Sequence, residues 1–323
     1  MGAGAWGTAL ALVAAEAGRK TTLWAREPEV LTAIHAHREN ATFLPGVRLP
    51  DTIRATGNMA EAADADALLM VVPAQHLRSS LQAFAPHVKP GTPIVLCAKG
   101  IERGSGLLLS EVLHECLPSC VPAILSGPSF AVDVARHLPT AVTIAAPGDA
   151  SIRLQAALSH ATFRPYASDD VLGVALGGAA KNVYAIASGI VSGLGLGESA
   201  CAALIARSFA ELSRLGEAMG ARRDTLSGLS GLGDLVLTAT SETSRNFRFG
   251  VAIGKSGSIS RASAPNQPLA EGAATAPALV ARGRRHGVEL PVAETTAEIL
   301  DGSLALDAAI PRLMSRPLKS ETA

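Results

Sequence analysis

A lysine inside an apolar, glycine-rich helix is a candidate acid–base group, and residues 177–187 contain one. Lys181 stands in Gly177-Gly178-Ala179-Ala180-Lys181-Asn182-Val183-Tyr184-Ala185-Ile186-Ala187. Burial there would disfavour the ammonium form and bring the side chain into the range where a lysine exchanges protons near neutrality. The competing reading is a lysine that snorkels to water at the helix edge. The small residues around it let a ligand or a second helix come close, which favours chemistry. Asp234, in Gly228-Leu229-Ser230-Gly231-Leu232-Gly233-Asp234-Leu235, is either the cap of the apolar helix that follows or a catalytic partner. Ser244-Arg245-Asn246 sets a hydroxyl, a guanidinium and an amide in succession, a group suited to phosphate. On a helix these neighbours point to different faces, so not all three need touch one ligand. Arg248 is expected to be exposed.

A second chemistry is written at the start of the chain. Gly2-Ala3-Gly4-Ala5-Trp6-Gly7 is a G-x-G-x-x-G run leading into an apolar helix from Thr8. Such a loop binds the pyrophosphate of a dinucleotide: bare backbone approaches the phosphates, and the helix N-terminus offers free N–H groups. Lys20 to Trp24 reads as the next strand, closed off from the helix by Gly18. That strand runs into Arg26, which could pair with a 2′-phosphate, although the adjacent Glu27 could neutralise it. NADP(H) is therefore favoured slightly over NAD(H), with use of both expected. Only Met1 precedes Gly2, where this arrangement calls for a buried strand. Losing about three to five aliphatic side chains at ~1.5–3 kcal/mol each would forfeit ~5–15 kcal/mol, comparable with a whole domain's stability. The natural chain is thus expected to begin several residues earlier.

The elements that must position these groups follow from the apolar pattern. Residues 67–72 form a continuous apolar run, as a strand buried on both faces should. A helix is predicted over 75–84, and a strand over 93–97 that delivers Lys99-Gly100. A helix over 105–116 and a strand over 123–125 come next, the latter delivering Ser126-Gly127-Pro128-Ser129. Residues 140–145 and 163–166 are further strands. This alternation predicts an α/β, Rossmann-like parallel sheet with helices on both faces, lacking its first strand. Ligands in such sheets sit beyond the carboxyl ends of the strands, which would gather the opening loop, Lys99 and Gly127 to Ser129 at one crevice. From Val171 the strand signals stop and an all-α region follows, with caps at Asp224 and Ser227. A dinucleotide-binding domain over 1–170 and a helical substrate domain over 171–323 are expected, with a Ser/Gly/Pro-rich loop over 256–268.

Composition excludes several function classes. The 323 residues carry 28 basic and 28 acidic side chains, so neither a nucleic-acid footprint nor a polybasic membrane patch is implied. Aromatics make up only 3%, too few for base-stacking platforms. Cys97, Cys116, Cys120 and Cys201 form no C-x-x-C pair; Cys116 and Cys120 are spaced to share a helix face, but no histidine constellation accompanies them. Thiols in a reducing cytoplasm are expected, and no metal. His35 and His37 read as solvated. No signal peptide is visible. The apolar stretch from Val171 to Ala206 is broken by Lys181, Asn182 and Glu198, which suits a packed helix pair better than a membrane span. Its small-residue surface is compatible with a homodimer.

Taken in order, the motifs are specific. They are Gly2-x-Gly4-x-Trp6-Gly7-Thr8-Ala9, Ala98-Lys99-Gly100, Ser126-Gly127-Pro128-Ser129-Phe130-Ala131, Lys181-Asn182-Val183, Gly231-Leu232-Gly233-Asp234-Leu235, Ser244-Arg245-Asn246 and Glu271-Gly272. This series resembles the bacterial-type NAD(P)-dependent glycerol-3-phosphate dehydrogenases over nearly the whole chain. The resemblance implies interconversion of dihydroxyacetone phosphate and sn-glycerol 3-phosphate, for phospholipid synthesis in the cytoplasm, with NADP or NAD. It implies that Lys181 accepts the proton in oxidation and donates it in reduction, with Lys99 and Asp234 completing the catalytic set. Lys99, Gly127, Ser129, Lys181, Asp234, Ser244, Arg245 and Asn246 fall on the family's substrate positions. Besides the glycine loop with Ala5, its cofactor positions fall on Trp6, Arg26, Lys99, Ala131, Arg245, Leu269 and Glu271. Asp133 stands where the family usually has Glu, Ala180 where it has Leu, and Glu198-Ser199 where Asp/Asn-Asn is common; none removes a group the chemistry needs. Two other readings remain. One is a related β-hydroxyacid dehydrogenase, against which the Ser244-Arg245-Asn246 cluster argues. The other is a nucleotide-binding relative without turnover, for which the absent first strand speaks.

Overall fold

In the computed structural model of the chain, residues 1–259 and 270–315 are described. The first half is a layered α/β structure. Strands β1 (Thr21–Trp24) and β2 (Ile53–Thr56) form a parallel pair, and β3 (Leu68–Met70), β4 (Pro93–Leu96), β5 (Val121–Ser126), β6 (Thr140–Ala145) and β7 (Phe163–Ser168) form a five-stranded sheet in that order. Met1 and Gly2 lie between the two sheets. The Met1 amine donates to the Leu69 carbonyl at 2.7 Å and its own carbonyl accepts from Val71 at 2.8 Å, while Gly2 N–H donates to Trp24 at 3.1 Å. One core, holding Leu10, Leu23, Ile53, Val95, Leu125 and Ile144, fills one face; a second, holding Met70, Leu77, Phe84, Leu96 and Leu113, fills the other.

Four local expectations change. The sheet is not wholly parallel, because β5 and β6 pair antiparallel. Between them lies only the five-residue helix α6 (Ala131–Ala135). The connection over 127–139 is close to the shortest, about a dozen residues, that a parallel crossover takes. The helix expected over 105–116 begins at Leu109, with the Glu111 carboxylate accepting from the Leu108 N–H at 2.6 Å. Cys116 ends that helix and Cys120 lies beyond it, so the two do not share a helical face. Asp224 and Ser227 are not caps: both lie within the short helix Arg223–Ser227, whose N-cap is Arg222. The loop expected over 256–268 falls largely outside the described residues.

From Val171 the described structure is helical. The long helix α8 (Val171–Gly193) starts where the Asp170 carboxylate accepts from the Gly173 N–H at 2.8 Å. By length and composition α8 could cross a membrane, but 89% of its most apolar stretch is buried inside the fold. Around it pack α9 (Glu198–Met219), α11 (Asp234–Thr240), α12 (Arg245–Ser256) and the helices Glu271–Arg285 and Pro291–Asp301. The Pro291 helix begins on Glu211 of α9, whose buried carboxylate accepts from the Val292 N–H at 2.6 Å.

Glycines decide how near α12 comes to α8. A Cβ at Gly250 would lie 2.1 Å from the Ile186 carbonyl, one at Gly189 2.1 Å from that of Phe247, and one at Gly254 2.5 Å from that of Ile190. These are backbone contacts, so no side-chain rotation relieves them. Gly250→Ala must push the helices apart, and it is expected to cost about 3 kcal/mol of stability, the upper end for forcing extra volume into a packed core. A denaturant midpoint equal to that of the unmodified protein would show that the seam can yield.

Candidate active site

The opening loop is held by a residue from outside it. Asn40, 1% exposed, donates through Nδ2 to the Ala3 carbonyl at 2.7 Å and to the Thr8 hydroxyl at 2.8 Å. Helix α1 (Ala5–Glu16) then starts at Gly4 with no side-chain cap and no acidic residue in its first turn. A Cβ at Gly7 would sit 1.8 Å from the Gly2 carbonyl, so loop and helix can close only on hydrogen. At Gly4 the corresponding direction meets no atom within 4 Å. An uncapped helix N-terminus beside bare backbone and open space fits the pyrophosphate of a dinucleotide. Trp6 and Ala131 flank it, each partly buried against the same core.

Beyond β4, Lys99 turns toward the helical half. Its Nζ donates to the Gly127 carbonyl at 3.1 Å and to Asp234 Oδ2 at 2.5 Å. Gly127, at φ +149°, places its Cα hydrogen against Val142, and its carbonyl also accepts from the Ser129 hydroxyl at 3.2 Å. Asp234 is the first residue of α11 and only 1% exposed. Its other oxygen accepts from Lys181 Nζ at 2.6 Å, and Lys181 also donates to the Thr238 hydroxyl at 2.7 Å. One carboxylate therefore holds two ammonium groups, one from each half of the molecule. The open choice for Asp234 falls to the lysine partnership, since its carboxylate makes no cap bond. Lys181 does not snorkel: it is 7% exposed.

Burial sets the protonation of this triad. Desolvation brings Lys181 down to about 8, with Asp234 pulling it up and Lys99 pushing it down. Burial alone would raise Asp234, but Lys181 and Lys99 outweigh it and hold the carboxyl below its ordinary value. Asp234 thus stays ionised while Lys181 lies within reach of neutral pH.

A relay of amides joins this centre to the next two helices. Asn182 Nδ2 donates to the Lys99 carbonyl at 3.3 Å, Asn246 Nδ2 donates to Asn182 Oδ1 at 2.9 Å, and the Gly272 N–H donates to Asn246 Oδ1 at 3.0 Å. Ser244 caps α12, its hydroxyl accepting from the Phe247 N–H at 3.2 Å, so that oxygen already has a structural task. Arg245, beside it, is exposed, as is Arg248. Burial pushes the Glu271 carboxyl up, opposed by the nearby cations Arg245, Lys181 and Lys99. These contacts bring Lys99, Gly127, Ser129, Lys181, Asp234, Asn246 and Glu271 around one centre with Arg245. Arg26 stands apart, just past β1, and Leu269 lies outside the described residues.

Thr238 and Asn40 were not foreseen. Thr238 had a signal, since it lies four residues after Asp234 and thus on the same helical face. Asn40 had none, because its partners are more than thirty positions away.

The family models for NAD-dependent glycerol-3-phosphate dehydrogenase match this chain twice, the N-terminal one at residues 1–151 and the C-terminal one at 170–311. The chain belongs to this family. It is 54% identical over 326 residues to a glycerol-3-phosphate dehydrogenase of Parvibaculum lavamentivorans described as NAD(P)+-dependent, covering all of this chain and 97% of that one. A protein of the same description from Caulobacter vibrioides is 55% identical over 322 residues, covering 99% and 97%. The crystal structure of glycerol-3-phosphate dehydrogenase from Coxiella burnetii superposes with a TM-score of 0.91 at 38% identity, covering 98% of this chain and 97% of that one. The expected family, the Rossmann-like first half and the helical second half are all borne out. Membership makes the chain an NAD(P)-dependent oxidoreductase acting on a CH–OH group.

Proposed function

We propose that this enzyme interconverts dihydroxyacetone phosphate and sn-glycerol 3-phosphate at the Lys181–Asp234–Lys99 centre. The observation that carries the reading is the Asp234 carboxylate, which binds Lys181 at 2.6 Å and Lys99 at 2.5 Å across the two halves of the fold. Residues 1–170 bind the dinucleotide and 171–323 bind the substrate in this reading.

A bound nicotinamide supplies or takes up the hydride. The chain's own groups do the rest. Lys181 gives a proton to the alkoxide that develops at C2 during reduction and takes it back in oxidation. Lys99 places an ammonium group beside that oxygen, and ionised Asp234 holds both lysines in place. Arg245, with Asn246 behind it, supplies donors for the substrate phosphate, while Ser244 and Ser129 complete the polar lining. Gly2, Gly4, Ala5, Trp6 and Gly7 cradle the pyrophosphate, and Arg26 inclines the enzyme toward NADP(H). Ala131, Leu269 and Glu271 complete the cofactor side.

Initial rates test this directly. Dihydroxyacetone phosphate should be reduced with NADPH and, less well, with NADH, whereas a β-hydroxyacid should not be oxidised. Failure to turn over dihydroxyacetone phosphate with either cofactor would sink the reading. The pH dependence carries a sign. Reduction needs the Lys181 ammonium, so its rate should fall as pH rises through about 8; oxidation needs the neutral amine and should rise over the same interval. Parallel profiles in the two directions would remove Lys181 from proton transfer. The reading extends to a cytoplasmic homodimer without nucleic-acid or membrane partners.

A further inference from the structure

The pair Arg26–Glu27 carries an assignment that rests on the reading above but goes beyond it. Trp24 ends β1, and its carbonyl accepts the Gly2 N–H at 3.1 Å, so the end of this strand is tied to the glycine loop. The backbone stays in line for one more residue, with the Ala25 N–H donating to the Thr56 carbonyl at 3.1 Å. Arg26 and Glu27 come next. In doubly wound sheets, side chains at this point meet the 2′ position of the adenosine ribose, where an acid favours a hydroxyl and an arginine favours a phosphate.

Here both stand side by side and hold each other. Arg26 donates to Glu27 Oε1 through Nε at 3.2 Å and through Nη2 at 2.9 Å. Oε2 has no hydrogen bond among the described residues. Glu27 occupies the N-cap of helix α2 (Pro28–His37), yet its side chain makes no cap bond. Its carboxylate is therefore committed to Arg26 and not to the helix. Arg26 is 78% exposed and Glu27 29%, and an exposed pair of this kind is weak enough to exchange partners.

We propose that Glu27 is a specificity-determining residue that keeps the enzyme open to both cofactors. With NADP(H), Arg26 leaves Glu27 for the 2′-phosphate, and the unpaired carboxylate left beside that phosphate limits the gain. With NAD(H), Arg26 stays on Oε1 and the free Oε2 accepts the ribose 2′-hydroxyl. Each cofactor thus meets one favourable and one limiting partner, and preference is a small difference between the two.

Glu27→Gln keeps the size of the side chain and removes its charge. The test measures equilibrium binding of adenosine 2′,5′-bisphosphate and adenosine 5′-monophosphate by calorimetry on the full chain, beside kcat/KM for NADPH and NADH. The two probes differ only in the 2′-phosphate. The variant should bind the bisphosphate several-fold tighter and the monophosphate several-fold more weakly, moving both the affinity ratio and the kcat/KM ratio about tenfold toward the phosphorylated cofactor. Arg26→Ala should move both ratios the other way, chiefly by weakening the bisphosphate. Ratios that stay within twofold in Glu27→Gln, or equal losses on both probes, overturn the assignment while leaving the dehydrogenase reading standing. A wild-type chain that reduces dihydroxyacetone phosphate with neither cofactor overturns both.

Discussion

Lys181→Ala is expected to lower kcat for dihydroxyacetone phosphate reduction by about 10²–10⁴-fold, the usual contribution of a positioned acid–base group. That is a loss of about 3–5 kcal/mol of transition-state stabilisation. NADPH affinity should change little, because Lys181, on a helix of the second half, bonds Asp234 and Thr238 alone among the described residues. Lys181→Arg should not restore turnover. Its guanidinium can replace the charge against Asp234 but cannot give up a proton near neutrality. Steady-state rates with both variants, and NADPH titration by nicotinamide fluorescence, separate loss of chemistry from loss of binding. A Lys181→Ala enzyme retaining more than a tenth of wild-type kcat would leave the proton to another group.

Asp234→Asn should have nearly as large an effect, by a different route. The carboxylate is what allows two ammonium groups to share a buried site. Without its charge, Lys181 loses the partner that raises it and still faces Lys99, so it should titrate well below its present value of about 8. Reduction would then lose its proton donor at a lower pH, and the alkaline limb of its rate profile should move to lower pH. Removing one member of a buried ion pair commonly costs about 3–5 kcal/mol, and deprotonation of Lys181 offsets part of that. Stability should therefore be most reduced at low pH, where Lys181 must carry its charge without the carboxylate. An alkaline limb that stays in place would show that Asp234 does not set the protonation of Lys181.

Features built from local contacts were readable in advance. Residues 67–72 announce a strand because a parallel sheet is covered on both faces, and the glycine loop announces its helix because its spacing serves close approach. The lysine on α8 stands out because no other residue of that helix is charged. What could not be read depends on contacts between distant positions. Lys181 and Asp234 are 53 residues apart, and Lys99 and Asp234 are 135 apart, so neither spacing carries a signal. The amide relay is similar: each asparagine is ordinary until three helices bring them into line. The turn of β6 against its neighbour was hidden for another reason. Apolar alternation marks strands but carries no direction, and a connection of the length of 127–139 permits either return. Asp224 and Ser227 misled because residues with capping side chains also occur inside short helices.

The glycine contacts between α8 and α12 have a bearing on recognition. Where two helices meet through side chains, small errors are absorbed by rotamers; where they meet carbonyl against Cα, no part is adjustable. Arg245 and Asn246 open the very helix whose later turns carry Gly250 and Gly254. The helix that opens with the groups proposed to bind phosphate is therefore gauged against the lysine-bearing helix by backbone contacts. On the proposed reading, the spacing between these groups and the lysine is a dimension of the main chain, held to the tolerance of carbonyl contacts.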